Sequence, residues 1–358
     1  YLLRQEIANH TAVQRVGSSS FHRRTKLGRL ANYLSFLFLS LVRVITIRPR
    51  PDVIITMTDP PILALVGAMG AILRGSRFIY NIRDLHPDMA LAAGFTLPRP
   101  VWAIWERLHG WALLRAHLVI VLGDDMKDRI VAKGVACERV VVVRDGAWPM
   151  HQPVDGDSDV VQAIRGDAEF VLLHAGNLGF AGDWDTLVSA APRLQSAGIR
   201  LTFVGDGAQK EQLQLETNGL NNVVFLPFFP PDDIPSVFAS ADMHVVTIKS
   251  GVEGLVVPSK LYPILMAGKP VLVVASANSD AARIVESSGC GIVIAPGDVE
   301  GLVAAVQELT GRPDLLAAMS KNAREISQSF TRDKELSRYV SFVEASGGID
   351  SVTTEKLG

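Results

Sequence analysis

Two successive α/β units, each built on a parallel sheet, are the fold class that this sequence predicts, and three observations lead there. Short β-branched runs alternate with helical patterns along most of the chain. Its 358 residues suffice for two domains of ordinary size, and 48% hydrophobic residues can bury a core in each. With 20% charged residues and a net charge of −2, the chain is neither disordered nor, taken whole, a binder of polyanions.

The amino-terminal region is charged differently. Residues 1–50 hold nine Lys/Arg against one acid, Glu6, and the basic run His22-Arg23-Arg24-Thr25-Lys26 leads into the apolar stretch LANYLSFLFLSLVRVITI. That pairing is a membrane-surface pattern and marks residues 15–50 as a possible contact with an anionic membrane. The stretch carries Asn32, Ser35, Ser40 and Arg43 and is barely long enough to span a bilayer. It therefore reads first as a largely buried helix of the first domain. The chain opens without Met or a signal peptide, which predicts that a native segment, with the first strand of the domain, precedes Tyr1. Cys137 and Cys290 have no metal or redox spacing, which fits a reducing, cytoplasmic compartment.

Strands are expected at PDVIITMT, SRFIYNIR, HLVIVLG and RVVVVRD, with helices at PILALVGAMGAILRG, VWAIWERLHGWALLRA and DDMKDRIVAKG between them. A second series runs through EFVLLHAG, IRLTFVGDG, NVVFLPF, MHVVTIKS, KPVLVVAS and GCGIVIAP, again with helices interposed. Turn residues cluster without periodicity from Asp145 to Asp157, so the joint falls there. The expected domains are 1–146, 147–325 and a carboxyl-terminal segment, 326–358, that ends in a frayed tail.

Ligands of open parallel sheets bind outside the carboxyl ends of the strands, so the loops there are where chemistry is expected. His174-Ala175-Gly176-Asn177-Leu178-Gly179 leaves the first strand of the second unit, and its glycines let the backbone approach a phosphate or simply make a tight turn. Val204-Gly205-Asp206-Gly207 is a second such turn, with Asp206 either meeting a ligand or capping the next helix. The third is EGLVVPSKLYPILMAGKPV. Here Pro258 stiffens the approach, Ser259 is a good N-cap, and Leu261, Ile264, Leu265 and Gly268 mark the buried face. Orphan amides, the helix dipole and the Lys260 ammonium would converge on one point, which suits a diphosphate. Glu253, just ahead, could accept from sugar hydroxyls or be an isolated surface carboxylate. In the first unit Asn81-Ile82-Arg83-Asp84-Leu85-His86-Pro87-Asp88 packs five polar or ionisable groups into a strand's carboxyl end, a density that packing alone does not explain. No zinc spacing, Gly-x-Ser-x-Gly elbow, Walker loop or Gly-x-Gly-x-x-Gly fingerprint appears, so neither a metal nor a nicotinamide cofactor is expected.

Taken in order, RPDVIITMTDPP, NIRDLHPD, HLVIVLGDDM, HAGNLG, VGDGAQKEQL, NVVFLPF, VPSKLYPILMAGKPV and IAPGDVEGL resemble glycosyltransferase family 4, and within it the bacterial surface-polysaccharide branch that includes fucosaminyl- and other amino-sugar transferases. The resemblance runs from about residue 25 to about 340. It implies a GT-B fold of two Rossmann-like domains, an acceptor domain and a nucleotide-sugar domain, with a last helix crossing back to the first. It also implies retention of anomeric configuration and no divalent metal or cofactor. On the matching positions, Gly176, Asn177, Gly179, Gly205, Asp206, Gly207, Pro258, Ser259, Lys260 and Leu261 would hold the donor. Lys260, Asp84, His86 and Glu253 would carry the reaction, with Asp84 and His86 on the acceptor side.

Two departures stand out. Many members place an Arg and a Lys beside the loop that here reads HAGNLGFAGDWD, which has neither, and a ribose-gripping glutamate where Pro263 stands. The expected partners are a nucleotide sugar, a saccharide or polyprenyl-linked acceptor and an anionic membrane surface, with no nucleic acid. Two rivals stay open at this point: a sugar-nucleotide 2-epimerase of the same fold, and a non-catalytic nucleotide-sugar-binding subunit.

Overall fold

The computed structural model describes residues 3–8, 11–22, 25–149 and 158–348. Arg23 and Arg24, the polar stretch 150–157 and the tail 349–358 lie outside these described residues. The chain opens on an antiparallel hairpin, β1 (Leu3–Ala8) and β2 (Thr11–Val16), which the sequence pattern did not suggest. Helix α1 (Lys26–Thr46) follows, its Thr25 side chain accepting from the Gly28 N–H.

The expectation of a largely buried α1 is corrected: only 11% of its apolar window is buried. Its polar residues explain why it stays with the domain. Asn32 exchanges hydrogen bonds with both backbone groups of Phe21 at 3.0 Å, and the Ser35 hydroxyl accepts from the Ser19 N–H at 2.9 Å. Arg43 donates to the Gln14 amide oxygen. The side chains that weaken a membrane-spanning reading thus tie the helix to the segment before it.

The first unit continues with β3 (Val53–Thr56), α2 (Leu63–Arg74), β4 (Arg77–Asn81), α3 (Asp88–Ala92), α4 (Arg99–Arg115), β5 (Leu118–Val121), α5 (Asp124–Ala132) and β6 (Val140–Val142). Its four strands are parallel, in the order β3-β4-β5-β6. The second unit comprises α6 (Asp159–Arg165), β7 (Phe170–Ala175), α7 (Trp184–Ser196), β8 (Ile199–Val204), α8 (Lys210–Glu216), β9 (Val223–Leu226), α9 (Ile234–Ala239), β10 (Met243–Thr247), α10 (Leu261–Met266), β11 (Val271–Val274), α11 (Asp280–Ser288), β12 (Gly291–Ile294), α12 (Val299–Thr310) and α13 (Pro313–Ser327). Its six strands are also parallel, in the order β12-β11-β10-β7-β8-β9. The chain builds outward from β7 in one direction and then from β10 in the other. This is the doubly wound arrangement, with its switch point between β7 and β10.

Helix α14 (Arg332–Gly347) packs on the first sheet, where Tyr339, Phe342 and Val343 meet Ile79, Ile120 and Val143. Buried residues of both units also share one cluster, in which Leu85 and Leu255 participate, and the Leu85 N–H donates to the Leu255 carbonyl at 2.9 Å. Arg144 crosses the joint as well, pairing with Asp280 at 2.6 Å and Asp124 at 2.8 Å. Its backbone N–H donates to Glu335 of α14 at 3.0 Å.

Asp280 is almost fully buried and also accepts from the Asp124 N–H at 3.1 Å. Asp280→Ala would leave the Arg144 guanidinium without its enclosed partner, and removing one member of such a pair costs about 3 kcal/mol or more. Urea unfolding should show a midpoint lowered accordingly.

Candidate functional site

The carboxyl ends of β7 and β10 open into a cavity of about 1060 Å³ between the two units. One wall is the turn from Ala175 to Gly182 and the segment from Val256 to Lys260; the other is Asp84, His86 and the apolar Leu30, Tyr33, Met89, Phe95, Leu97 and Trp105. Polar groups enter the cavity from both units, His174, Asn177, Thr247, Ser259 and Lys260 from the second and Asp84 and His86 from the first, among apolar side chains on either side.

The second unit's wall is held by a layer of backbone behind it. Gly176 N–H donates to Val204 at 2.8 Å, Leu178 N–H to Asp206 at 2.8 Å, and Gln209 N–H to Leu178 at 2.9 Å. Such close approach requires glycine at Gly205 (φ 143°), where a Cβ would fall 2.0 Å from the Gly176 carbonyl oxygen. Gly205, Asp206 and Gly207, expected at the ligand, are not among the residues lining the cavity; they support the turn that is. Asp206 does not cap α8 either. Its carboxylate accepts from the adjacent Gly207 N–H at 2.9 Å, and the cap position belongs to Gln209.

Lys260 meets this wall directly. Its Nζ lies 2.9 Å from His174 Nε2, and a Cβ on Gly176 would stand 3.0 Å from the same ammonium. Burial lowers the Lys260 pKa from 10.5 to about 8. Burial first, and then the neighbouring Lys260 charge, hold His174 well below its ordinary range. His174 is thus neutral, and its Nε2 lone pair accepts from the ammonium. Trp184 packs edge-on against the imidazole at 4.8 Å and donates its indole N–H to the Gly179 carbonyl at 2.6 Å.

Two details of the Lys260 segment differ from expectation. Lys260, not Ser259, is the N-cap of α10, so Pro263 falls at the third helical position, where no intrahelical hydrogen bond is lost. With six residues, α10 also has few aligned peptides, so the charge offered here is chiefly the ammonium. Pro258, Ser259 and Lys260 line the cavity, whereas Leu261 is buried in the core.

Across the cavity, the Thr58 hydroxyl accepts from the Arg83 and Asp84 N–H groups at 3.2 and 3.3 Å and shapes the chain at the end of β4. Burial raises the Asp84 pKa, opposed by His86 and Arg83, and burial lowers that of His86, opposed by Asp84. His86 stacks on Trp105, and Trp105 on Trp102, at 6.0 and 5.5 Å. Arg83 turns away from Asp84 to pair with Asp145.

Glu253 is not brought to this cavity. Its carboxylate accepts from the Gly251 N–H at 2.8 Å, inside a loop that Arg129 anchors to the first unit. Among the described residues, no group of three or more His, Cys, Asp or Glu is placed to hold a metal ion.

The sequence placed His174 at the start of a candidate loop without giving it a role, and the apolar lining was missed, since Leu30, Tyr33 and Trp105 sit in helical patterns indistinguishable from packing faces.

Comparison with known proteins agrees with this architecture. Residues 5–146 match the glycosyl transferase 4-like domain, and residues 159–326 match glycosyl transferases group 1. WcaI of Escherichia coli K12, named as a colanic acid biosynthesis glycosyl transferase, is 28% identical over 321 residues, 86% of this chain and 77% of its own. WbjE of Pseudomonas aeruginosa, named as a glycosyltransferase, is 24% identical over 288 residues, 76% of this chain and 69% of its own. Among solved structures, Anabaena HepE in complex with UDP-glucose superposes with a TM-score of 0.69 at 20% identity, covering 91% of this chain and 85% of that one.

The layered glycines make a direct prediction. Gly205→Ala should destabilise the fold by about 2–4 kcal/mol, because the added methyl meets backbone that cannot swing aside. A melting temperature within a degree or so of the parent would contradict the packing described.

Proposed function

Because the chain belongs to the GT-B glycosyltransferases, its first unit a 4-like domain and its second a group 1 domain, we propose that it moves a sugar from a UDP-linked donor to a hydroxyl of a saccharide or polyprenyl-linked acceptor in surface-polysaccharide synthesis. One observation carries this reading: the Lys260 ammonium lies against the glycine turn after β7, at the switch point, in a cavity that continues to Asp84 and His86. The UDP-glucose bound to HepE supports the donor class, and the colanic acid role in the name of WcaI supports the product class.

In this mechanism the bond between the anomeric carbon and the diphosphate breaks, and its electron pair leaves with the diphosphate. Lys260, the Ser259 hydroxyl and, in the Gly176–Gly179 turn, the Asn177 and Gly179 N–H groups stabilise the charge that develops. The acceptor hydroxyl attacks from the leaving group's own face, gives its proton to a phosphate oxygen, and the anomeric configuration is retained. His86, kept largely neutral at pH 7 by burial, and Asp84 orient the acceptor hydroxyl. The transferred group is a hexosyl or N-acetylhexosaminyl unit, an amino sugar if the branch resemblance holds. The cation at the diphosphate is Lys260, so the reaction needs no metal and no cofactor. The protein would work in the cytoplasm, at the inner face of the membrane when the acceptor is lipid-linked.

A panel of UDP-hexoses and UDP-N-acetylhexosamines, assayed for UDP release with and without saccharide acceptors, tests the activity, and NMR of the product tests retention. Lys260→Ala should lower turnover about 10²-fold if one charged contact is worth about 3 kcal/mol. Turnover equal to that of the parent would remove Lys260 from the mechanism.

The pH dependence has a definite sign. Lys260 is charged below about pH 8 and neutral above it, and a bound diphosphate favours the charged form. Calorimetric UDP affinity should therefore be steady up to about pH 8 and then fall, by up to about tenfold per pH unit, as binding must take up a proton. In Lys260→Met this fall should vanish.

A further inference from the structure

A second cavity, of about 660 Å³, lies in the first unit, lined by residues 18–21, by Arg29 and Tyr33 of α1, and by Asp59 and Pro60 of the loop after β3. Its volume is that of a small-ligand site. One wall is fixed in advance: the Ser19 hydroxyl donates to the Asn32 amide oxygen at 2.9 Å, and Asn32 holds both backbone groups of Phe21. The groups left over are polar and uncommitted. Among the described residues, the Ser20 hydroxyl, the Arg29 guanidinium, the Tyr33 hydroxyl and the Asp59 carboxylate have no hydrogen-bond or ion-pair partner. Arg29 and Asp59 line the same cavity without pairing with each other.

This inventory selects a ligand class. A phosphate would meet the Asp59 carboxylate, and a cation would meet the Arg29 guanidinium. A neutral polyol can donate to the one and accept from the other, while serine hydroxyls do both. Phe21, 60% exposed, and Tyr33, 47% exposed, add aromatic surface for the apolar side of a sugar ring. The chemistry is that of a neutral saccharide.

The second cavity also adjoins the first. Tyr33 lines both, and the consecutive Pro60 and Pro61 line one each. Thr58, next to Asp59, accepts from the Asp84 N–H at 3.3 Å, so the loop that carries Asp59 is tied to the end of β4. Behind burial and the mutual effect of Asp84 and His86, the Asp59 charge pushes both of their pKa values upward. We infer that this cavity is a second acceptor subsite, which takes the sugar adjoining the one that reacts at Asp84 and His86. The acceptor would then end in at least two joined sugars, and an earlier glycosyl transfer must have supplied it. The inference rests on the glycosyl-transfer reading and narrows its acceptor.

Methyl glycosides of glucose, galactose and N-acetylglucosamine, with a β-linked disaccharide of each, serve as acceptors in a UDP-release assay. For the sugar that is used, kcat/KM should rise about tenfold or more from monosaccharide to disaccharide, chiefly through KM. In Asp59→Asn, and in Ser20→Trp, whose ring would fill the cavity, the gain should shrink to about threefold or less. Both positions are exposed and unpartnered, so both variants should keep the parent melting temperature and calorimetric UDP affinity. Equal kcat/KM on mono- and disaccharides, a gain that survives either variant, or donor hydrolysis that no saccharide in the panel accelerates would overturn the subsite. So would a loss of UDP affinity in Asp59→Asn, which would put that residue at the donor. Failure of the parent to bind UDP, or to release it from any UDP-sugar, would instead sink the glycosyl-transfer reading itself.

Discussion

β7 and β10 are neighbours in the sheet, but the chain leaves them in opposite directions, toward β8 on one side and β11 on the other. Right-handed crossovers then send the following helices to opposite faces, and nothing covers the gap between the two carboxyl ends. Two loops of the second unit that line the cavity converge there. The turn after β7 brings glycine backbone, and the long excursion after β10 brings Pro258, Ser259 and Lys260 to the same point. Lys260 and His174 are 86 residues apart in sequence and touch because of that one reversal.

The first unit can serve as the opposite wall only if the joint is firm. Leu85 and Leu255 are linked backbone to backbone, Arg129 holds the loop around Glu253, and Arg144 gathers Asp124, Asp280 and Glu335 from three helices. Residue Glu253, which looked like a sugar ligand, meets this joint through its backbone carbonyl, while its carboxylate bonds within its own loop. Its neighbours explain why: Gly254 comes so close to the Asp125 backbone that a Cβ would lie 2.6 Å from its carbonyl oxygen.

Much of this was legible in the sequence, because parallel strands buried on both faces appear as unbroken β-branched runs and their loops as glycine and proline clusters. HAGNLG, PSK and the polar end of β4 announced themselves as loops with more chemistry than packing needs. What stayed hidden depended on long-range geometry. The β1–β2 hairpin has no turn signature, nothing local couples His174 to Lys260, and the Arg144–Asp280 pair joins positions with no local pattern. The outward apolar stripe of α1 was misread as an inward one, since periodicity reports that a helix has a face and is silent on where it points.

Lysine is ordinarily an entropic liability in a binding site, because its four-carbon stem must be immobilised each time a ligand arrives. In this protein one of its three donors is already engaged with His174, and its stem runs alongside Gly176. The loss of rotamer freedom, about 2 kcal/mol for such a side chain, is therefore incurred when the chain folds and need not be repeated when an anion binds. Two N–H bonds remain with a set direction, so the phosphate oxygen of the proposed donor would meet a cation that no longer has to be ordered.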